Sequence, residues 1–166
     1  GWSSAERRGL LRRHFVAVVQ MLLEYGYCWF ASPERLRRLM RIEGLEHLKA
    51  LDGRPVVLMM PHFTGLDLAG LRVSMEVPVV SIYSRQKDAW LDEFFRARRL
   101  RLGTGIIFSR QQGTRAVIRA LRDGYRLYYL PDQDFGQRDS VFVPFFGINA
   151  ATITGLSRMA TAAHAA

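Results

Sequence analysis

The feature that most constrains the fold is a rhythm in which short apolar runs alternate with longer helical patterns. Val56-Val57-Leu58-Met59-Met60 is the first run, and Pro61 closes it. Pro78 precedes Val79-Val80-Ser81-Ile82-Tyr83, and Gly103-Thr104-Gly105 leads into Ile106-Ile107-Phe108. Leu127-Tyr128-Tyr129-Leu130 is closed by Pro131. Helical patterns fill the gaps: one to about Ser74, one over 89–101, and one over 114–123 ended by Gly124. Strands alternating with helices predict an α/β fold whose central sheet is mainly parallel and flanked by helices.

The 166 residues, 49% of them hydrophobic, suffice for one core and one domain over 1–166. Residues 1–51 read as a helical N-terminal segment and 52–166 as the α/β core. Ser3-Ser4-Ala5-Glu6 has the form of a capping box opening a long helix. Leu11, Phe15, Val18, Leu22, Tyr25 and Trp29 follow at helical spacing, a stripe expected to face the core. Arg7, Arg8, Arg12 and Arg13 load the start of this amphipathic helix, so a membrane surface is the alternative. Ser32-Pro33-Glu34 starts a second helix. After Pro131 the expectation is an irregular segment to Gly147 and a last helix from near Thr152. The chain starts at Gly1, and Ala166 follows no helix-ending signal, which suggests a fragment whose core is truncated at the C-terminus.

The net charge is +9, and 22 of the 24 basic residues are Arg. Arg grips phosphate through a planar fork, so an anionic partner is plausible. No zinc spacing or nucleic-acid reader motif accompanies the charge, and no nucleic acid is expected. Arg115, Arg119 and Arg122 form a helical stripe that reads first as a solvated face, as do Arg96, Arg98, Arg99 and Arg101. Cys28 is the lone cysteine, which excludes an internal disulfide; among aromatic neighbours it reads as a buried filler. No run of eighteen apolar residues exists, so a membrane span is not expected.

Chemistry concentrates after the first strand, in His62-Phe63-Thr64-Gly65-Leu66-Asp67. Open α/β sheets place their sites at the carboxyl ends of strands. Residues i and i+5 lie about 140° apart on a helix, so His62 and Asp67 meet only if His62 sits in the turn and Asp67 in the first helical turn. Such a pair suits a general base and the carboxylate that orients it. Asp132 and Asp134, alternating after the last strand, have the chemistry to hold Mg²⁺ or to bond turn amides. Arg85 follows the second strand on the same sheet edge, where it can bind phosphate or pair with Asp88 or Asp92. The run 141–146 with Trp90, Phe94 and Phe95 can line an apolar groove, with core packing the simpler account for most of them.

Several blocks taken in order resemble the bacterial late acyltransferases of lipid A synthesis, within the wider glycerolipid acyltransferase superfamily. His62 through Asp67 looks like their His-x4-acid motif. Tyr83-Ser84-Arg85 before Leu91-Asp92 looks like the second block. Leu130-Pro131-Asp132-Gln133-Asp134-Phe135-Gly136 with Ser140 to Gly147 looks like the third, and Ala151-Thr152-Ile153-Thr154 also fits. The resemblance implies transfer of a fatty acyl chain from an acyl-carrier-protein thioester to a hydroxyl of a Kdo-lipid A precursor. It implies His62 and Asp67 as catalytic dyad, Arg85, Asp132 and Asp134 as substrate-binding residues, no metal and no other cofactor. The partners are then acyl carrier protein, the lipid A precursor and the cytoplasmic face of the inner membrane. Full-length members carry an N-terminal hydrophobic anchor and continue past the last helix. The readings held beside it are a glycerophospholipid acyltransferase with the same dyad, a non-catalytic lipid-binding remnant, and a basic module that binds nucleic acid or another anionic surface without catalysis.

Overall fold

The structure is a computed structural model that describes residues 1–134, 136 and 140–166. Helix α1 (Ser4–Phe30) starts on the expected capping box: Ser3 Oγ accepts from the Glu6 amide, and Glu6 accepts from the Ser3 amide. Helix α2 (Pro33–Leu39) is capped by Ser32 with Pro at its first turn, and α3 (Leu45–Ala50) follows.

The α/β core then runs β1 (Val56–Met59), α4 (Leu66–Ser74), β2 (Val79–Tyr83), α5 (Ala89–Arg99), β3 (Gly105–Ser109), α6 (Thr114–Arg122) and β4 (Arg126–Tyr129). All four strands pair in parallel, in the order β1-β4-β2-β3. The last strand of the series is therefore inserted between the first two. Register places Met59 opposite Tyr129, and the Met60 amide extends the ladder to the Tyr129 carbonyl at 2.8 Å.

Successive strand residues face opposite sides, so each strand serves two cores. Val80 and Leu127 pack with Val117, Ala120 and Leu121 of α6 and with Met159 and Ala163 of the last helix, α7 (Gly155–Ala163). Val79 and Tyr128 face the other way, against Leu66 and Val73 on α4. Cys28, Ala31, Leu36 and Leu71 then seat the N-terminal helices on that second layer. The result is helices on both faces of a parallel sheet, as the alternation predicts.

Three expectations are corrected. The stripe on α1 is only half core-facing: Val18, Tyr25 and Trp29 are partly buried, while Leu11, Phe15 and Leu22 are exposed together with Val19 and Leu23. Helix α1 is thus apolar on two sides, and only one of them meets this fold. The segment before α7 is a regular antiparallel hairpin, β5 (Ser140–Phe145) and β6 (Ile148–Ile153). Its run 141–146 does not pack the core: Phe142, Phe145 and Phe146 are exposed, Phe146 at 92%.

Arg98 and Arg99 of α5, and Arg101 just after it, are not a solvated face. Helix α1 ends with unpaired carbonyls and no basic residue in its last turn. Arg101 donates to the carbonyls of Cys28 (2.7 Å), Tyr27 (3.2 Å) and Ala31 (2.7 Å), and Arg98 donates to that of Trp29 (3.2 Å). These two side chains satisfy the helix end and fasten α1 to the core. Trp29 adds ring contacts to Phe94 and Phe95, while Trp90 is largely exposed.

Candidate active site

Strands β1 and β4 end side by side, and each is followed two residues later by a Pro. His62 lies three residues beyond Met59, and Asp132 three beyond Tyr129, so the parallel register brings them together. His62 Nδ1 lies 2.7 Å from Asp132 Oδ1, and the His62 amide donates to Asp132 Oδ2, also at 2.7 Å. The carboxylate against the histidine is therefore Asp132, where the sequence spacing suggested Asp67. Burial raises the Asp132 carboxyl, but the hydrogen bonds from the amide and ring of His62 outweigh it and hold the group below the ordinary carboxylate value.

This pairing defines the imidazole. An ionised carboxylate only accepts, so Nδ1 carries the proton and Nε2 presents its lone pair. The Gln133 amide nitrogen lies 3.1 Å from Nε2, the polarity that this tautomer requires. Sequence reasoning missed Gln133. The sole signal was its place directly after Asp132.

Asp67 does other work. Gly65 takes φ +79, a left-handed turn that few other residues tolerate, and α4 starts at once. Asp67 then lies in the first helical turn, where α1 and α5 converge. Its oxygens accept from Arg99 Nε (2.9 Å), Arg99 Nη2 (3.1 Å) and the Tyr25 hydroxyl (2.8 Å). Burial works against the Arg99 charge, yet Asp67 leaves that guanidinium above its ordinary value. Tyr25 is pushed up to about 12, first by burial and then by the Asp67 charge, so it stays a neutral donor. Asp67, Arg99 and Tyr25 thus pin three helices together beside the histidine.

Both groups line one cavity of about 860 Å³ at the carboxyl ends of the strands. Its α1 wall is His14, Val18 and Met21; its floor along β2 and β3 includes Val79, Ile107 and Ser109. Ser109 Oγ is buried there without a hydrogen-bond partner among the described residues. Leu68 and Leu71 also line the cavity.

The other expected residues fall near the cavity with different roles. Arg85 is exposed, and its neighbours Ser84 and Gln86 line the cavity. It does not take up Asp88, which caps α5, or Asp92, which accepts from the Tyr83 hydroxyl (3.0 Å) and the Gln86 amide (2.8 Å). Those bonds hold the loop that carries Arg85. Asp134 accepts from the Gly136 amide at 2.8 Å, a turn bond. Phe135 of the third block lies outside the described residues. Among the described residues no group of three acidic, His or Cys side chains is placed to hold a metal ion. Cys28 is buried, and burial followed by the Asp67 charge pushes its thiol up to about 11.

A family profile described as "Bacterial lipid A biosynthesis acyltransferase" matches residues 1–166. A lipid A biosynthesis acyltransferase of Haemophilus influenzae is 33% identical over 162 residues, covering 96% of this chain and 51% of its own. The lipid A biosynthesis lauroyltransferase of Escherichia coli K12 is 32% identical over 166 residues, covering 96% and 54%. The palmitoleoyltransferase of the same organism is 33% identical over 168 residues, covering 97% and 54%. The chain spans about half the length of the curated relatives it matches. The match runs through every strand and helix that builds the cavity, and this chain belongs to the bacterial lipid A biosynthesis acyltransferases.

Proposed function

We propose that this chain carries the catalytic centre for moving a fatty acyl group from an acyl-carrier-protein thioester to a hydroxyl of a Kdo-lipid A precursor. The observation that carries the reading is the His62–Asp132 pair, which fixes an imidazole with its basic Nε2 directed to a partly apolar cavity. The Gln133 amide now occupies the position an acceptor hydroxyl would take, and it swings aside when the hydroxyl arrives.

His62 Nε2 removes the hydroxyl proton as the oxygen attacks the thioester carbonyl carbon. Asp132 steadies the imidazolium through Nδ1–H. The tetrahedral intermediate collapses with rupture of the C–S bond, and the imidazolium returns its proton to the departing thiolate. The products are an ester and a free thiol, and no residue is acylated. The high Cys28 pKa agrees with the absence of a thiolate nucleophile at neutral pH. The apolar lining that Val18, Met21, Leu68 and Leu71 give the cavity suits the acyl chain.

The chain works at the cytoplasmic face of the inner membrane, with acyl carrier protein as donor partner. The outward side of α1 supports the membrane contact, since Phe15, Val19, Leu22 and Leu23 are exposed beside Arg8 and Arg12. No helix among the described residues is long and apolar enough to cross a membrane.

The test is acyl transfer from acyl carrier protein to a Kdo-lipid A precursor, by the wild type and by His62→Ala. Transfer is expected to fall by about 10²–10⁴ in the variant. Full activity in His62→Ala would sink the assignment.

A further inference from the structure

The hairpin β5–β6 carries a surface that neither the fold nor the mechanism uses. From Ser140 to Ser157 the sequence holds no Asp, Glu, Lys, Arg or His, although 23% of the chain is charged. Side chains alternate across a strand, so Val141, Val143 and Phe145 point to one face, with Ile148 opposite Phe145, and Phe142 points to the other. All five are exposed, Ile148 at 75%. Phe146 stands at the tip. Its backbone takes φ +50, a left-handed conformation that Gly or Asn adopts at lower cost. In return its ring gains an edge contact to Phe145 alone among the described aromatic rings.

These features select what covers the hairpin. The groove of a partner protein covers one face of a two-stranded ribbon, whereas a bilayer surrounds it. Here both faces and the tip are apolar. Strand addition by a second copy uses the backbone donors of an open edge, and Pro144 takes one out of β5. The three steps from Val143 to Phe146 span about 10 Å of extended chain, which matches the depth of the boundary between headgroups and acyl chains.

We infer that the tip of the β5–β6 hairpin inserts into a lipid bilayer, as a membrane contact separate from the outward side of α1. The base of the same hairpin belongs to the cavity. Ile153, Thr154 and Gly155 line it, and the Ile153 amide donates to the Pro131 carbonyl at 2.9 Å, one residue before Asp132. Insertion of the tip therefore holds the His62–Asp132 end of the cavity close to the bilayer, where a lipid acceptor resides. That consequence, unlike the insertion itself, rests on the acyl-transfer reading.

The experiment places the environment-sensitive fluorophore NBD on Phe146→Cys in the full chain. Cys28 is buried and its thiol is pushed up to about 11, so it stays unlabelled at neutral pH. Vesicles of phosphatidylethanolamine and phosphatidylglycerol should shift the NBD emission to the blue. Lipids spin-labelled near the headgroup should quench it more than lipids labelled at the chain end. Phe146→Asp with Ile148→Asp should bind the same vesicles about tenfold more weakly, at a melting temperature near that of the wild type. His62→Ala should lose transfer yet keep the NBD response, so a failure of insertion is read apart from a failure of the acyl-transfer reading. Emission that vesicles leave unchanged overturns the inference. So does emission that is already blue without them, which marks a hairpin covered by protein, and so does undiminished vesicle binding by the double Asp variant.

Discussion

At the scale of the residue, the decisive point is which carboxylate serves the histidine. Asp132 accepts from the ring of His62, while Asp67 is taken up by Arg99 and Tyr25. Asp132→Asn should lower turnover by about 10²–10³, because the amide no longer stabilises the imidazolium. Asp67→Asn keeps the shape but weakens the grip on Arg99, so it should cost about 1–3 kcal/mol of stability, near the lower end because Arg99 keeps some solvent exposure. Parallel kinetics and thermal melts of the two variants separate these roles. The pH dependence follows from the depressed Asp132 carboxyl. Its contribution is complete above the ordinary carboxylate value, about 3.9, and is lost as pH falls through the lower folded value. The melting-temperature gap between wild type and Asp132→Asn should thus close below about pH 4. The histidine was legible from its place after a strand. Its partner was not, because residues 62 and 132 become neighbours only through a strand order that local patterns do not encode. The repeated ending, an apolar run, then Pro, then the polar group, was the available trace.

At the scale of the element, helix α1 depends on side chains seventy residues away. Arg101→Ala removes donors from three carbonyls at its C-terminus. The expected loss is about 1–3 kcal/mol in urea titrations. Cys28 offers a direct probe of this joint. With its thiol raised to about 11 and its side chain buried, it should resist thiol reagents at pH 8 in the wild type. Labelling should accelerate in Arg101→Ala as α1 loosens. Strands and helices of the core were legible to within a residue or two, since their apolar spacing is strong. The hairpin β5–β6 was not. Its strands are apolar on both faces, so no alternation marks them. Its two-residue turn is Phe146-Gly147 with φ 50 and 79, a conformation usually announced by Asn or Gly at the first position.

At the scale of the whole molecule, the exposed apolar surface is shared between α1 and the hairpin. Phe15, Leu22 and Leu23 face away from the core, so Phe15→Ser with Leu22→Ser should leave the melting temperature nearly unchanged. The same variant should bind anionic phospholipid vesicles about tenfold more weakly in sedimentation assays. Raised salt should weaken wild-type binding as well, because Arg8 and Arg12 flank the apolar side. Composition identified the basic, apolar helix but not which of its sides the fold would cover. That depends on where Trp29 meets α5, a long-range contact.

The insertion of β4 between β1 and β2 also sets an order for synthesis. As the chain leaves the ribosome, β1 and β2 appear first, yet neither is the other's partner in the finished sheet. The β2–β3 pair can zip as soon as residue 109 is out. β1 must wait for residues 126–129, more than sixty positions later, before it gains a neighbour within this sheet. His62 waits with it, since Asp132 emerges only then. A nascent chain paused before residue 126 holds a histidine loop on an unpaired strand, a state exposed to chaperones and proteases. The His62–Asp132 pair is thus closed late, by the same strand that completes the sheet.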